Sequence, residues 1–114
     1  MAEDCLFCKI VAGELPATKV HEDDRTVVFM DINPATRGHL LVVPRTHADD
    51  VWAIDAADWA AVTETGRKMA LLVRDVLGAE GVNLLNSCRA VAWQTVFHLH
   101  LHVLAGRAFT WPPG

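Results

Sequence analysis

His98, His100 and His102 alternate with Leu99, Leu101 and Val103 near the C-terminal end of a 114-residue chain. Successive side chains of a strand point to opposite faces, so this spacing predicts three imidazoles on one side and three aliphatic groups on the other. The aliphatic side packs on a core, and the imidazole side is left for chemistry. A solvated face or hydrogen-bonded core histidines would explain one such residue, and explain three in strict alternation poorly. Two chemistries then compete. Neighbouring histidines of a strand stand roughly 6.5–7 Å apart and the outer two about 13 Å, whereas imidazole binds zinc at about 2.0–2.1 Å. Two neighbours can reach one ion but scarcely all three, so a metal site leaves a histidine over. In covalent catalysis a neutral imidazole, with an ordinary pKa of about 6.5, attacks phosphorus. Its other ring nitrogen must be tied to an acceptor, and flanking groups must hold the phosphate oxygens and protonate the departing group. On spacing alone the two chemistries are nearly level.

Cys5 and Cys8 form a C-x-x-C pair and Cys88 stands apart. The pair fits metal ligation or thiol redox chemistry equally by spacing. An odd cysteine count does not read as a disulfide framework, and Cys88 reads as an ordinary half-buried thiol.

The elements that must position these residues can be read along the chain. Leu6 to Ala12 suits a short helix stopped by Gly13 and Pro16. Between Thr18 and Ile32, two strand-like runs flank a turn at Glu22-Asp23-Asp24-Arg25, and Gly38 to Pro44 reads as another strand. From Ala56 to Leu77, Trp59, Val62, Met69, Leu72, Val73 and Val76 recur at helical spacing and predict one apolar face. Asp55 suits the N-cap, Asp58 a capping-box position and Gly78 the stop. Val82 to Asn86 and Thr95 to Leu104 complete the strands. Several strands joined by hairpin-like turns, with one long helix between them, predict an α+β fold with a mainly antiparallel sheet.

Composition bounds the partners. The length suits one domain over residues 1–114, and 52% hydrophobic content supports a packed core. A net charge of -4 argues against nucleic acid, though not against one small anion held by local donors. Apolar runs fall far short of the roughly 20 residues of a membrane helix, and the acidic N-terminus lacks a secretory pattern, so the cytoplasm is expected and a membrane partner is not.

The string from Gln94 to Leu104, QTVFHLHLHVL, resembles the signature of the histidine-triad (HIT) family, His-x-His-x-His followed by two hydrophobic residues. The stretch from Cys5 to His47 is similar to that family's N-terminal half, and the ending GRAFTWPPG to that of its Hint branch. The resemblance implies a five-stranded sheet with one long and one short helix, and a homodimer that joins two such sheets. It implies hydrolysis or transfer at the α-phosphate of purine nucleotides (AMP or GMP derivatives) through a nucleotidyl-histidine intermediate, with nucleoside 5′-phosphoramidates favoured. By this resemblance His100 is the nucleophile, His102 binds phosphate and assists the leaving group, and His39 is a fourth active-site histidine. Asp31 meets the ribose hydroxyls; Leu15, Phe29 and Ile32 line the base pocket; Asn86, Gln94 and Thr95 lie near the phosphate and leaving group. Phe29 and Ile32 equally suit a core, and Asp31 a turn cap before Pro34. The same resemblance makes Cys5, Cys8, His47 and His98 four ligands of a structural zinc, which assigns the leftover histidine; no organic cofactor is expected.

Ser87 to Trp93 contains no glycine where the family often has several, and Trp93 precedes Gln94 where Gly is frequent. Loop backbone that approaches a phosphate closely favours glycine, so this departure bears on the leaving-group contacts and substrate preference and less on the nucleophile. Dinucleoside polyphosphate hydrolysis, or nucleotide binding with little turnover, are the alternatives to phosphoramidate hydrolysis.

Overall fold

Runs of β-branched and large apolar residues at Thr26–Met30 and Gly38–Pro44 favour extended, buried backbone, and they form the centre of an antiparallel sheet. The computed structural model describes residues 5–31 and 38–106. Its elements are α1 (Leu6–Val11), β1 (Lys19–Glu22), β2 (Thr26–Met30), β3 (Gly38–Pro44), α2 (Ala56–Leu77), β4 (Val82–Asn86) and β5 (Leu101–Ala105). The strands lie in the order β1-β2-β3-β5-β4, every neighbouring pair antiparallel. The expected α+β fold, with its one short and one long helix, is therefore observed. No helix among the described residues is long and apolar enough to cross a membrane.

Both faces of the central strands are covered, and the strand alternation divides them. Val28, Leu40 and Val42 join Val62, Met69 and Val73 of α2 on one face. Val27, Phe29, Leu41 and Val43 join Phe7 and Ile10 of α1 on the other. Asp55 caps α2 by accepting from the Asp58 backbone N–H at 2.7 Å, and Gly78 ends it in the left-handed conformation at φ 66°. Leu72 and Val76, expected on the apolar face, are 37% and 69% exposed. The buried stripe of α2 runs instead through Thr65 and Gly66. A Cβ at Gly66 would stand 2.5 Å from Leu101 Cδ2, so a larger residue there would push that side chain aside from the close seat of the helix on β5.

The expected strand from Thr95 to Leu104 is corrected. Regular pairing begins only at Leu101, opposite Val42 of β3 and Asn86 of β4. Beyond these residues both neighbours stop pairing with it, and other partners satisfy the backbone. The Leu99 N–H donates to the Ala48 carbonyl at 2.7 Å, and the Asn86 side chain donates to the His100 carbonyl at 3.0 Å. The alternation survives without the ladder. Leu99, Leu101 and Val103 pack in the α2-side core, while Phe7 of α1 stands edge-on to His98 and His100 on the opposite face.

Leu99 is fully buried although it lies outside regular structure. Replacing it by alanine is expected to cost about 2–5 kcal/mol in urea unfolding. A loss below about 1 kcal/mol would show that this segment does not depend on its aliphatic side for position.

Candidate functional site

The segment that leaves the sheet delivers His100 in a defined state. Its Nδ1 lies 2.9 Å from the His98 carbonyl oxygen. A carbonyl only accepts, so the Nδ1–H is the donor and Nε2 keeps its lone pair. Burial holds the His100 pKa below the ordinary 6.5, against the favourable bond to that carbonyl. The ring is neutral at pH 7, with its lone pair settled on Nε2.

His102, at the second position of β5, and His39, at the second of β3, meet across the adjacent strands. His39 Nε2 lies 2.9 Å from His102 Nδ1 and 3.3 Å from Asp31 Oδ2. A carboxylate oxygen facing an imidazole lone pair is repulsive, which places the proton on His39 Nε2, between two acceptors. His102 Nδ1 then accepts, and the proton of its neutral ring sits on Nε2. Burial foremost, then the charges of His100 and His39, press the His102 pKa down to about 4. Burial likewise lowers that of His39, opposed by Asp31. The arrangement pairs a lone-pair nitrogen on His100 with a donor nitrogen on His102, their rings 4.9 Å apart.

A cavity of about 200 Å³ opens between α1 and the sheet in front of these groups. His100, His102, Asp31 and Thr95 line it together with apolar Phe7, Ile10 and Phe29. Phe29 thus serves as both core and wall, packing edge-on to Phe7 at 5.3 Å. Leu15 is half-buried beside the same core without lining the cavity, and Ile32 falls outside the described residues. Sequence reasoning missed Phe7 and Ile10. Their i, i+3 spacing on a one-and-a-half-turn helix was the available signal.

Asn86 and Gln94 hold backbone. Asn86 fixes the His100 carbonyl as described above. Gln94 is 3% exposed; its amide donates to the Asp49 and Val96 carbonyls at 2.6 and 3.0 Å, and its oxygen accepts the Arg89 N–H at 2.7 Å. This clamp closes the glycine-free loop, in which Arg89 and Trp93 take positive φ angles of 76° and 73°. Such backbone costs about 1–2 kcal/mol per residue and needs other contacts to hold it. Arg89 supplies some: its Nε lies 3.1 Å from buried Asp50 Oδ2, outside hydrogen-bond alignment, and its guanidinium lies 5.4 Å from the Trp52 ring centroid.

A second cluster adjoins the triad. Cys8 Sγ lies 3.3 Å from both His47 Nδ1 and His98 Nδ1, and Cys5 Sγ 3.4 Å from His98 Nδ1. The four ligand atoms all fall within 4.8 Å of one another. His98 Nε2 donates to the Pro44 carbonyl at 2.8 Å and His47 Nε2 to Asp49 Oδ1 at 2.8 Å. Each ring proton is therefore engaged on the far side, leaving both Nδ1 lone pairs facing the sulfurs. Burial and the neighbouring Cys5 push the Cys8 thiol up to about 11, since two thiolates repel without a cation between them. Two sulfurs and two imidazoles in this disposition fit a closed tetrahedral zinc site.

Residues 12–109 match the family model described as HIT domain. Protein hit of Bacillus subtilis (strain 168) is 40% identical over 103 residues, which cover 90% of this chain and 71% of that protein. A Zn-bound histidine triad family protein from Mycobacterium smegmatis is similar with a TM-score of 0.89 and 39% identity, covering 94% of this chain and 78% of that one. Adenylylsulfatase HINT3 of Arabidopsis thaliana is 33% identical over 104 residues, 91% of this chain and 53% of that protein.

Gln94→Ala strands three backbone groups that its amide now pairs. The expected result is a loss of about 1–3 kcal/mol in stability, with faster amide exchange confined to residues 87–96. Exchange unchanged in that loop would show that Gln94 does not clamp it.

Proposed function

Because this chain belongs to the HIT family, and because His100 presents an imidazole whose proton is already engaged, we propose that it is a nucleotidyl hydrolase or transferase acting at the α-phosphate of purine nucleotides. The favoured substrate is a nucleoside 5′-phosphoramidate. His100 Nε2 forms a bond to phosphorus while the bond from phosphorus to the leaving amine breaks. His102 takes up a solvent proton beside the anionic substrate and passes its Nε2 proton to the departing amine, returning to a neutral ring. Water, deprotonated by the same nitrogen, then attacks the phosphorus and releases the nucleoside monophosphate with His100 restored. The observation that carries this reading is the bond from His100 Nδ1 to the His98 carbonyl, beside a cavity into which His102 also opens.

The other residues take roles around that centre. His39 and Asp31 set the His102 proton, and Asp31 also meets the ribose. Phe29, with Phe7 and Ile10, offers the base an apolar wall, and Leu15 flanks it. Thr95 lies at the phosphate end, and Asn86 and Gln94 keep His100 and the preceding loop in place. Cys5, Cys8, His47 and His98 would hold zinc. When bound, that ion ties the start of α1 and the segment after β3 to the residue two before the nucleophile, and takes no part in the reaction. Unpaired thiols suit a cytoplasmic setting. Exposed Val82, Leu84 and Leu85 on the edge strand β4, with Val82 beside Leu71 of α2, suit the homodimer that joins two sheets.

His100→Ala is expected to abolish turnover of adenosine 5′-phosphoramidate while nucleoside monophosphate binding persists. With wild type, an adduct trapped by an alkaline denaturing quench, which spares the acid-labile phosphorus–nitrogen bond, should map to His100. Burial lowers the His100 pKa, so the acid limb of kcat/KM should fall below pH 6.5, activity holding as the pH drops through that value. Turnover surviving in His100→Ala, or a dinucleoside polyphosphate preferred about tenfold or more, would reject the reading as stated.

Zinc is tested separately. Purified protein should carry about one equivalent per chain, and Cys8→Ser should lose it. Content below about a tenth of an equivalent without chelator exposure counts against the four-ligand site.

A further inference from the structure

Asp31, His39 and His102 present one carboxylate oxygen and two imidazole nitrogens within 4.8 Å of one another, apart from the Cys/His cluster. We propose that these three residues form a second divalent-metal site, for zinc or a neighbouring late transition metal, whose occupancy suppresses turnover. The spacings carry the inference. Ligands bonded at about 2.0–2.2 Å around a tetrahedral ion lie about 3.3 Å from one another. Asp31 Oδ2 and His39 Nε2 are 3.3 Å apart, and His39 Nε2 and His102 Nδ1 are 2.9 Å apart. An ion would replace the proton shared among these atoms with little movement of the side chains. His39 keeps a neutral ring by carrying its proton on Nδ1 instead.

The donor set decides the class of metal. Two imidazoles and one carboxylate suit zinc, copper, nickel or iron(II), whereas magnesium prefers oxygen ligands and retains its water. Three protein ligands leave a coordination position open, unlike the closed set of two thiolates and two imidazoles. The two sites therefore differ in affinity and spectrum, and the three-ligand site is the weaker and more readily exchanged. Asp31 and His102 also line the cavity in front of His100. An ion between them draws the carboxylate from the ribose and stops His102 from cycling its proton. This inhibitory consequence rests on the function proposed above; the metal binding does not.

The test uses the full wild-type chain carrying one equivalent of zinc in the first site, titrated with Co²⁺. The expected result is one further equivalent that adds ligand-field absorption without thiolate charge transfer. It should shift the ring signals of His39 and His102 and leave those of His47 and His98 in place. Zinc should displace the cobalt, and a millimolar excess of magnesium should not. His39→Ala, checked for retained first-site zinc, should weaken the second equivalent by more than about 100-fold, beyond the cost of losing an outer-shell partner. Phosphoramidate turnover should fall in step with second-site occupancy and return when a weak chelator removes only that ion. Binding that stops at one equivalent, ring shifts elsewhere, or a second equivalent indifferent to His39→Ala would overturn the site. Second-site binding with turnover unaffected would overturn its inhibitory role. Failure of the proposed function shows differently, as no turnover in the one-equivalent protein before cobalt is added.

Discussion

A neutral histidine keeps one lone pair for chemistry when something else takes its proton, and for His100 that acceptor is the carbonyl two residues back in the same segment. The bond lies in the stretch before regular pairing with the neighbouring strands begins. The geometry of the His100 ring is therefore set by the contacts that hold the stretch before Leu101. The departing segment is held by its aliphatic face in the α2-side core, by the Leu99 bond to Ala48, and by Asn86 on the His100 carbonyl. Each contact fixes backbone, and the side chains of the triad inherit the precision.

The three histidines end in three different electrostatic settings because each faces a different partner. His98 turns one nitrogen to the Pro44 carbonyl and the other to two sulfurs. His100 gives its proton to a carbonyl and keeps a lone pair. His102 accepts from His39, which sits beside Asp31. One alternating pattern thus yields a ring facing two sulfurs, a ring with a free-standing lone pair and a ring with an outward N–H, and burial keeps all three neutral at pH 7.

Much of this was legible in the residues. The helix from Ala56 to Leu77 and the strand from Val82 to Asn86 follow from local pattern and capping, and both appear with those bounds. The sharing of one face by the histidines follows from alternation. The failures have a common cause in tertiary contacts. Strand propensity at Thr95–His100 yields to partners that run out, and Leu72 and Val76 yield to a helix seated through Gly66 against Leu101. Phe7 and Ile10 became cavity walls because a six-residue helix packs over the sheet; their i, i+3 spacing marks a shared face but not what that face covers. Gln94 and Asn86, legible as polar residues near the site, hold backbone, a distinction that only coordinates make.

The central claim concerns one proton, and nitrogen-15 magnetic resonance of the histidine rings at pH 7 reads it directly. The account expects His100 as the neutral tautomer protonated at Nδ1, and His102 as the opposite tautomer protonated at Nε2. A His100 ring that is cationic, or protonated at Nε2, would contradict it, because no lone pair would then stand ready for phosphorus.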